Sequence, residues 1–184
     1  MSLKNQDDRY GWLSITLHWL VALVVIGMFA WGLWMMDLGY YDPWRKDAPE
    51  LHKSVGICLL VLMLLRLSWR LLSPQPKPLA GHSALVRVAA KAGHGALYLV
   101  LFALMASGYL ISTADGRAIE VFGVFSVPAL ISGLPEQEDI AGWVHELLAW
   151  GLIGLVVLHA AAALKHHFID RDATLRRMLG GRGE

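Results

Sequence analysis

His18, His52, His145 and His159 lie inside or at the edge of long apolar stretches of the chain. An ionisable side chain at membrane depth is costly and marks function by default. Neutral imidazole is also a standard axial ligand of haem iron. His145 and His159 are 14 residues apart. That is close to four helical turns, so both project from one helix face, about 21 Å apart along its axis. One metal ion cannot bridge that span, whereas two haems stacked across a bilayer fit it. The spacing points to two cofactors.

The elements that must position these residues are four apolar blocks, at about 12–36, 51–72, 88–114 and 140–168. Each has a core of roughly 18–23 mostly apolar residues, enough to cross about 30 Å of hydrocarbon. The chain is 56% hydrophobic and only 17% charged, below the roughly 25% usual for soluble domains. The fold class expected is all-α, an integral membrane four-helix bundle, built as one domain over 1–184. The first block, uncharged over 11–36, exceeds the roughly 7–15 apolar residues of a secretory signal and precedes no small-residue cleavage site. It reads as a retained helix. Pro74, Pro76 and Pro78 break the chain after the second block. The segment 118–134 is too interrupted by Gly123, Pro128 and Gly133 to span, and reads as a lid or interfacial loop.

Charge sets the expected orientation. Lys4, Arg9, Arg66, Arg70, Lys77, Arg87, Lys91, Lys165, Arg171, Arg176, Arg177 and Arg182 fall on one side; Arg45, Lys46, Lys53 and Arg117 fall on the other. The positive-inside rule then places both termini in the cytoplasm. The two outer connections hold ten of the fifteen acids. Trp12, Trp44, Trp69 and Trp143 sit near span ends, where indole rings favour the headgroup level.

With that topology the histidines pair by depth. His18 lies about two turns inside the cytoplasmic leaflet, level with His159. His52 enters from outside, level with His145. The expected axial pairs are His18 with His159 and His52 with His145. Small residues one turn away on the same helices, Ala22, Gly56, Gly142, Ala162 and Ala163, leave room for a flat macrocycle. His94, on the third span at the depth of His18, is a rival for either cytoplasmic-side position, or a partner for a propionate or a quinone. Arg66 and Arg70 suit propionates, or snorkel to the surface.

His166 continues the His159 face toward the cytoplasm and is the candidate for a quinone, which needs a proton-exchanging group near both haem and water. Thr16 and Lys91 are further candidates there. His82 reads as a solvated loop residue, and Trp19 is notable for its place beside His18. Lys53, Arg45 and Lys46 form a positive cluster on an otherwise acidic outer face, or are ordinary loop charges. The single cysteine, Cys58, excludes intrachain disulfides, thiolate zinc sites and iron–sulfur clusters, and reads as a small core residue. A Zn²⁺ or Cu²⁺ transporter is disfavoured, because two separated histidine pairs offer no continuous ion pathway.

The motifs R-x-x-x-L-S-I-T-L-H-W-L at His18, E-L-H-K-S-V-G-I at His52, L-V-L-M-L-L-R-L-S-W-R, G-H-G-A-L-Y-L, W-V-H-E-L-L-A at His145 and G-L-V-V-L-H-A-A-A-A-L-K-H-H-F at His159 occur in order. Over nearly its whole length the chain resembles the bacterial cytochrome b561 family, small di-haem cytochromes of the inner membrane. The resemblance implies two haem b groups on His18, His52, His145 and His159. A similar helix arrangement occurs in the di-haem subunits of formate dehydrogenases and nickel–iron hydrogenases. It also implies a likeness to superoxide oxidases, which oxidise superoxide at the outer face and reduce ubiquinone near the cytoplasmic haem, with His166 near the quinone. The partners expected are the lipid bilayer, ubiquinone, and superoxide or a redox partner subunit; no nucleic acid is expected.

Overall fold

The computed structural model describes residues 2–79 and 81–182; residues 1, 80, 183 and 184, which include both ends of the expected domain, lie outside it. Four long helices dominate: α1 Trp12–Met36, α2 Asp47–Leu72, α3 Ala84–Ser112 and α4 Gln137–Phe168. All four are long and apolar enough to cross a membrane. A 3₁₀ turn, Pro43–Arg45, precedes α2, and a short α5, Thr174–Met178, follows α4. The fold is an all-α membrane four-helix bundle.

α2, α3 and α4 begin three or four residues before the apolar blocks do; the first turns of α2 and α4 are polar, and that of α3 ends on the charged Arg87. Asp47 and Glu50 open α2, and Glu138 and Asp139 open α4, where carboxylates offset the positive end of the helix dipole. Pro49 fits the first turn of α2, whose backbone N–H groups have no helical acceptor. The Ser83 hydroxyl accepts from Val86 N–H at 3.3 Å and caps α3. Basic residues close two of the helices, Arg70 in α2 and Lys165, His166 and His167 in α4.

Close packing divides the chain into two compact units. A terminal unit comprises Met1–Ala22, Leu62–Tyr98 and Gly154–Glu184; a central unit comprises Leu23–Val61 and Leu99–Ile153. Each takes a segment from every long helix. Among the described residues the buried apolar ones are few: Val21 and Met63 in the terminal unit and Leu59, Leu101, Ala141 and Leu152 in the central unit are examples. Outward-facing helix positions carry large apolar side chains instead: Leu23 is 68% exposed, Leu99 72% and Leu158 67%. In water that surface would drive aggregation; against lipid tails it is the ordinary exterior of a membrane protein. Cys58 belongs to it. It is exposed rather than packed in a core, because the helix turns this position outward.

In the central unit, the segment read as a lid contains an antiparallel hairpin, β1 Ile119–Val121 with β2 Phe125–Val127. Phe122 and Gly123 both have positive φ, 51° and 69°, as a tight turn matched to strand twist requires. Ser54 of α2 fastens the hairpin: its Oγ accepts from Phe122 N–H at 3.1 Å and donates toward Glu120 O at 3.2 Å. Ile119 and Val121 are buried, while Val124 is exposed.

Candidate functional site

In the central unit, α2 presents His52 and α4 presents His145, with ring centroids 6.4 Å apart and planes at 72°. In the terminal unit, α1 presents His18 and α4 presents His159, with centroids 6.2 Å apart at 73°. All four are partly buried. Two metal–imidazole bonds of about 2.0 Å, with each ring centre about 1.1 Å behind its nitrogen, put the two centres about 6 Å apart. Both pairs therefore have a separation that would suit one iron held between the two imidazoles. His94 of α3 lies 5.4 Å from His159, at 65°, closer than that span.

The backs of the rings differ. His145 Nδ1 lies 3.0 Å from Leu104 O and 3.1 Å from Ser107 Oγ, both on α3. The carbonyl can only accept, so Nδ1 carries the proton and the Nε2 lone pair is free, which is the tautomer a metal-ligating imidazole needs. His52 Nδ1 is buried with no protein partner. Beside it an apolar cavity of about 340 Å³ is lined by residues that include Val24, Gly27, Met28, Trp31 and His52, a size typical of cofactor pockets, roughly 300–1,000 Å³. Buried imidazole and apolar wall together fit a haem.

Glycines of neighbouring helices set how closely the central pair is backed. A Cβ at Gly108 of α3 would stand 3.1 Å from His145 Cε1 and 3.3 Å from Nδ1, and one at Gly32 of α1 would stand 3.6 Å from His52 Cε1. Sequence spacing does not single out these two; the small residues it does single out lie on the ligating helices. Of those, Gly56 faces Met28 at 3.8 Å and Gly142 faces nothing within 4 Å. The one sequence signal at Gly108 is the run Ala106-Ser107-Gly108, three small residues in the otherwise bulkier second half of α3.

His18 faces a cation. Arg66 Nη2 lies 2.9 Å from His18 Nδ1, while its Nε donates to the Tyr98 hydroxyl at 3.0 Å and its Nη1 to Leu17 O at 3.3 Å. A guanidinium only donates, so here Nδ1 accepts and the neutral ring carries its proton on Nε2. Binding iron through Nε2 requires that proton to leave, or Arg66 to turn away and free its fork for a carboxylate such as a propionate. Arg66 is thus neither at the surface nor idle, whereas Arg70 is exposed, 5.9 Å from the Tyr98 ring centre. Trp19 stacks at a tilt 5.3 Å from His18 and donates to Met178 O at 2.8 Å, tying the chain after α4 to α1.

His166 does not stand free. Its Nδ1 lies 2.8 Å from Asp172 Oδ2 and 3.0 Å from Asp170 Oδ2. His82 is not a solvated loop residue: it is 21% exposed, and its Nε2 lies 2.8 Å from the same Asp172 oxygen. Burial alone would raise the Asp172 carboxyl, but hydrogen bonds from His82, Thr174 and His166 outweigh it and hold the group well below the usual carboxylate range. Thr16 and Lys91 are exposed, and no hydrogen bond joins either to His166 among the described residues. In the central unit, Lys53 Nζ is paired with Glu50 at 2.6 Å, Arg45 Nη1 donates to Leu38 O at 2.8 Å, and Lys46 is exposed.

The sequence pattern of a family described as prokaryotic cytochrome b561 matches residues 9–181. The chain is 56% identical over 180 residues to "Cytochrome b561 homolog 2" of Escherichia coli strain K12, covering 98% of this chain and 96% of that protein. It is 35% identical over 176 residues to "Probable superoxide oxidase CybB" of Yersinia pestis, covering 93% and 96%. To "Cytochrome b561 homolog 1" of the same E. coli strain it is 30% identical over 178 residues, covering 94% and 97%. Four apolar helices, paired imidazoles and this match along almost the entire chain agree: it belongs to the prokaryotic cytochrome b561 family of haem b electron-transfer proteins of the bacterial membrane.

Proposed function

We propose that this protein is a superoxide:ubiquinone oxidoreductase of the bacterial inner membrane, acting as a single domain with both termini cytoplasmic and two haem b groups. The observation that carries the reading is the near-equal separation of the two imidazole pairs, 6.2 Å for His18–His159 and 6.4 Å for His52–His145. Haem supplies one-electron redox chemistry when bound; the protein supplies ligands, low dielectric and spacing. Two superoxide anions each give up one electron at the outer face and leave as O₂. Ubiquinone takes both electrons and two protons at the cytoplasmic face to become ubiquinol. His145, oriented by Leu104 O, and His52 hold the outer position; His18 and His159 hold the inner one. His166 is the group to hydrogen-bond the quinone and pass a proton, with Thr16, Lys91 and His94 as further candidates around it. Lys53, Arg45 and Lys46 are the candidate approach for an anion. The name of the Yersinia pestis relative supports the donor.

One observation favours a second reading. Lys53 is paired with Glu50 and Arg45 is engaged by a backbone carbonyl, which weakens local attraction for a small anion. The same haem relay then serves as a membrane anchor that passes electrons between a partner dehydrogenase or hydrogenase and the quinone. The deciding experiment adds superoxide and ubiquinone to haem-loaded protein and follows haem reduction and quinol formation. Rapid quinol formation supports the first reading. Inertness toward superoxide, with reduction by a co-purifying dehydrogenase subunit, selects the second. A protein without b-type absorption bands on reduction sinks both.

A further inference from the structure

In the terminal unit, His82 meets two side chains from the far end of the chain, His166 and Asp172, at the end of α4. His82 comes from the α2–α3 connection, His166 from the last turn of α4, and Asp172 from the turn that follows. Their ligand atoms all lie within 4.8 Å of one another. His82 Nε2 and His166 Nδ1 each reach the same oxygen, Asp172 Oδ2, at 2.8 Å. The side chains are only 21%, 17% and 18% exposed. The two imidazole centroids are 4.9 Å apart at 39°.

The backbone is bent to make this meeting. Arg171 has φ of 54°, a left-handed conformation that a non-glycine residue adopts at a cost. That turn brings Asp172 back over α4, where its N–H donates to His166 O at 3.0 Å. Asp172 Oδ1 accepts from Thr174 N–H at 2.8 Å, which fixes the carboxylate and leaves Oδ2 toward the imidazoles. Asp170 adds a second carboxylate 3.0 Å from His166 Nδ1, itself held by Lys165 at 2.7 Å.

We propose that His82, His166 and Asp172 form a binding site for a divalent transition-metal ion of the Zn²⁺ type. Two imidazole nitrogens and one carboxylate oxygen are a three-ligand set that Zn²⁺ accepts, leaving a fourth position for water or Asp170. Mg²⁺ and Ca²⁺ prefer all-oxygen shells and fit it poorly. Ligand atoms around one tetrahedral ion at bonds of about 2.0 Å stand about 3.3 Å apart, so each needs to withdraw by only about half an ångström from its present hydrogen bond. Each imidazole would present to the ion the nitrogen that now faces Asp172 and carry its N–H on the other one. The ion ties the α2–α3 connection to the end of α4. It uses His166 Nδ1, so with the ion bound Nε2–H still donates a hydrogen bond to a quinone but does not give up its proton; the binding test involves no quinone and is read independently of that role.

The test is equilibrium dialysis of the untagged, full-length, haem-loaded protein against Zn²⁺, with His82→Gln and Asp172→Asn beside it. The wild type is expected to bind one zinc at micromolar concentration, and each variant at least about tenfold more weakly, at unchanged haem absorption. Zinc-edge X-ray absorption of the wild type is expected to show a nitrogen/oxygen shell near about 2.0 Å with two imidazoles. No bound zinc, equal affinity in both variants, or a shell with fewer than two imidazoles overturns the proposal. If a variant loses its haem spectrum, the absorption measurement on the wild type decides alone.

Discussion

Replacing Gly108 with alanine puts a methyl group 3.1 Å from His145 Cε1 and 3.3 Å from Nδ1. Ordinary carbon contacts begin near about 3.5 Å, so the ring must retreat from α3 by about 0.4 Å. The acceptors that orient it, Leu104 O at 3.0 Å and Ser107 Oγ at 3.1 Å, sit on that same helix. Retreat lengthens both contacts toward the limit of a useful hydrogen bond. A lost bond of this kind costs about 1 kcal/mol, and overpacking adds about another 1. Together they weaken haem at the His52–His145 pair by about 2 kcal/mol, or about 30-fold at 1.4 kcal/mol per tenfold. Haemin titration of the stripped protein, with haem counted per chain, reads this directly. Gly32→Ala, whose methyl would sit at an ordinary 3.6 Å from His52, and Gly142→Ala, with nothing within 4 Å, are expected to bind as the wild type does. If Gly108→Ala binds two haems with wild-type affinity, or Gly142→Ala loses as much, the account of how His145 is held is wrong.

Arg66→Met removes a unit charge one imidazole away from the proposed inner haem; at an effective dielectric of about 20 this is worth about 2 kcal/mol, or roughly 100 mV for one electron. That haem's potential should fall in a spectroelectrochemical titration, and an unchanged or raised value refutes the assigned field. The Asp172 carboxyl is held below its ordinary range. Its contribution to stability is therefore fully present above about pH 4 and is lost as pH falls through the depressed value. Thermal unfolding in detergent should find Asp172→Asn less stable than wild type by about 1–3 kcal/mol at pH 7, with the gap closing in acid; a gap that is absent at pH 7 or persists in acid contradicts this. His166→Ala should slow quinone reduction while both haems stay bound, and loss of a haem instead would make it a ligand.

The helices were legible because lipid demands long apolar runs; the polar first turns of α2 and α4, such as Asp47–Glu50, lay outside that signal, and α3 starts before the Arg87 that marked its expected edge. Depth along the spans, with a fixed rise per residue, puts His18 level with His159 and His52 level with His145, and those rings lie 6.2 and 6.4 Å apart; it does not separate His18 from His94, whose ring is nearer to His159 at 5.4 Å. Rotation about each helix axis was not legible. Gly108 and Gly32 back the histidines from other helices, and Cys58 faces outward, because helix facing depends on neighbours that spacing alone does not specify. The meeting of His82 with Asp172, 90 residues apart, left no local trace either. It depends on the left-handed Arg171, a residue type that gives no warning of positive φ.

The two imidazole pairs sit in opposite local fields, and that difference has a direction. His145 has a carbonyl oxygen and a hydroxyl against its Nδ1. A carbonyl that accepts the ring proton makes the imidazole a stronger donor to a metal, which favours the oxidised ion. His18 has a guanidinium against its Nδ1 instead, and a nearby positive charge favours the added electron. If Arg66 swings to a propionate, so that His18 keeps its ring proton, that charge remains close by; if it stays on His18, the negative charge of a ring that has lost its proton offsets it. With haems bound at both pairs as proposed and Arg66 turned to a propionate, an electron would be better stabilised at the His18–His159 pair than at the His52–His145 pair. Under the proposed orientation this gradient runs toward the cytoplasmic side, where His166 stands. It arises from Leu104, Ser107 and Arg66 alone, so it serves a small anionic donor and a partner subunit equally well.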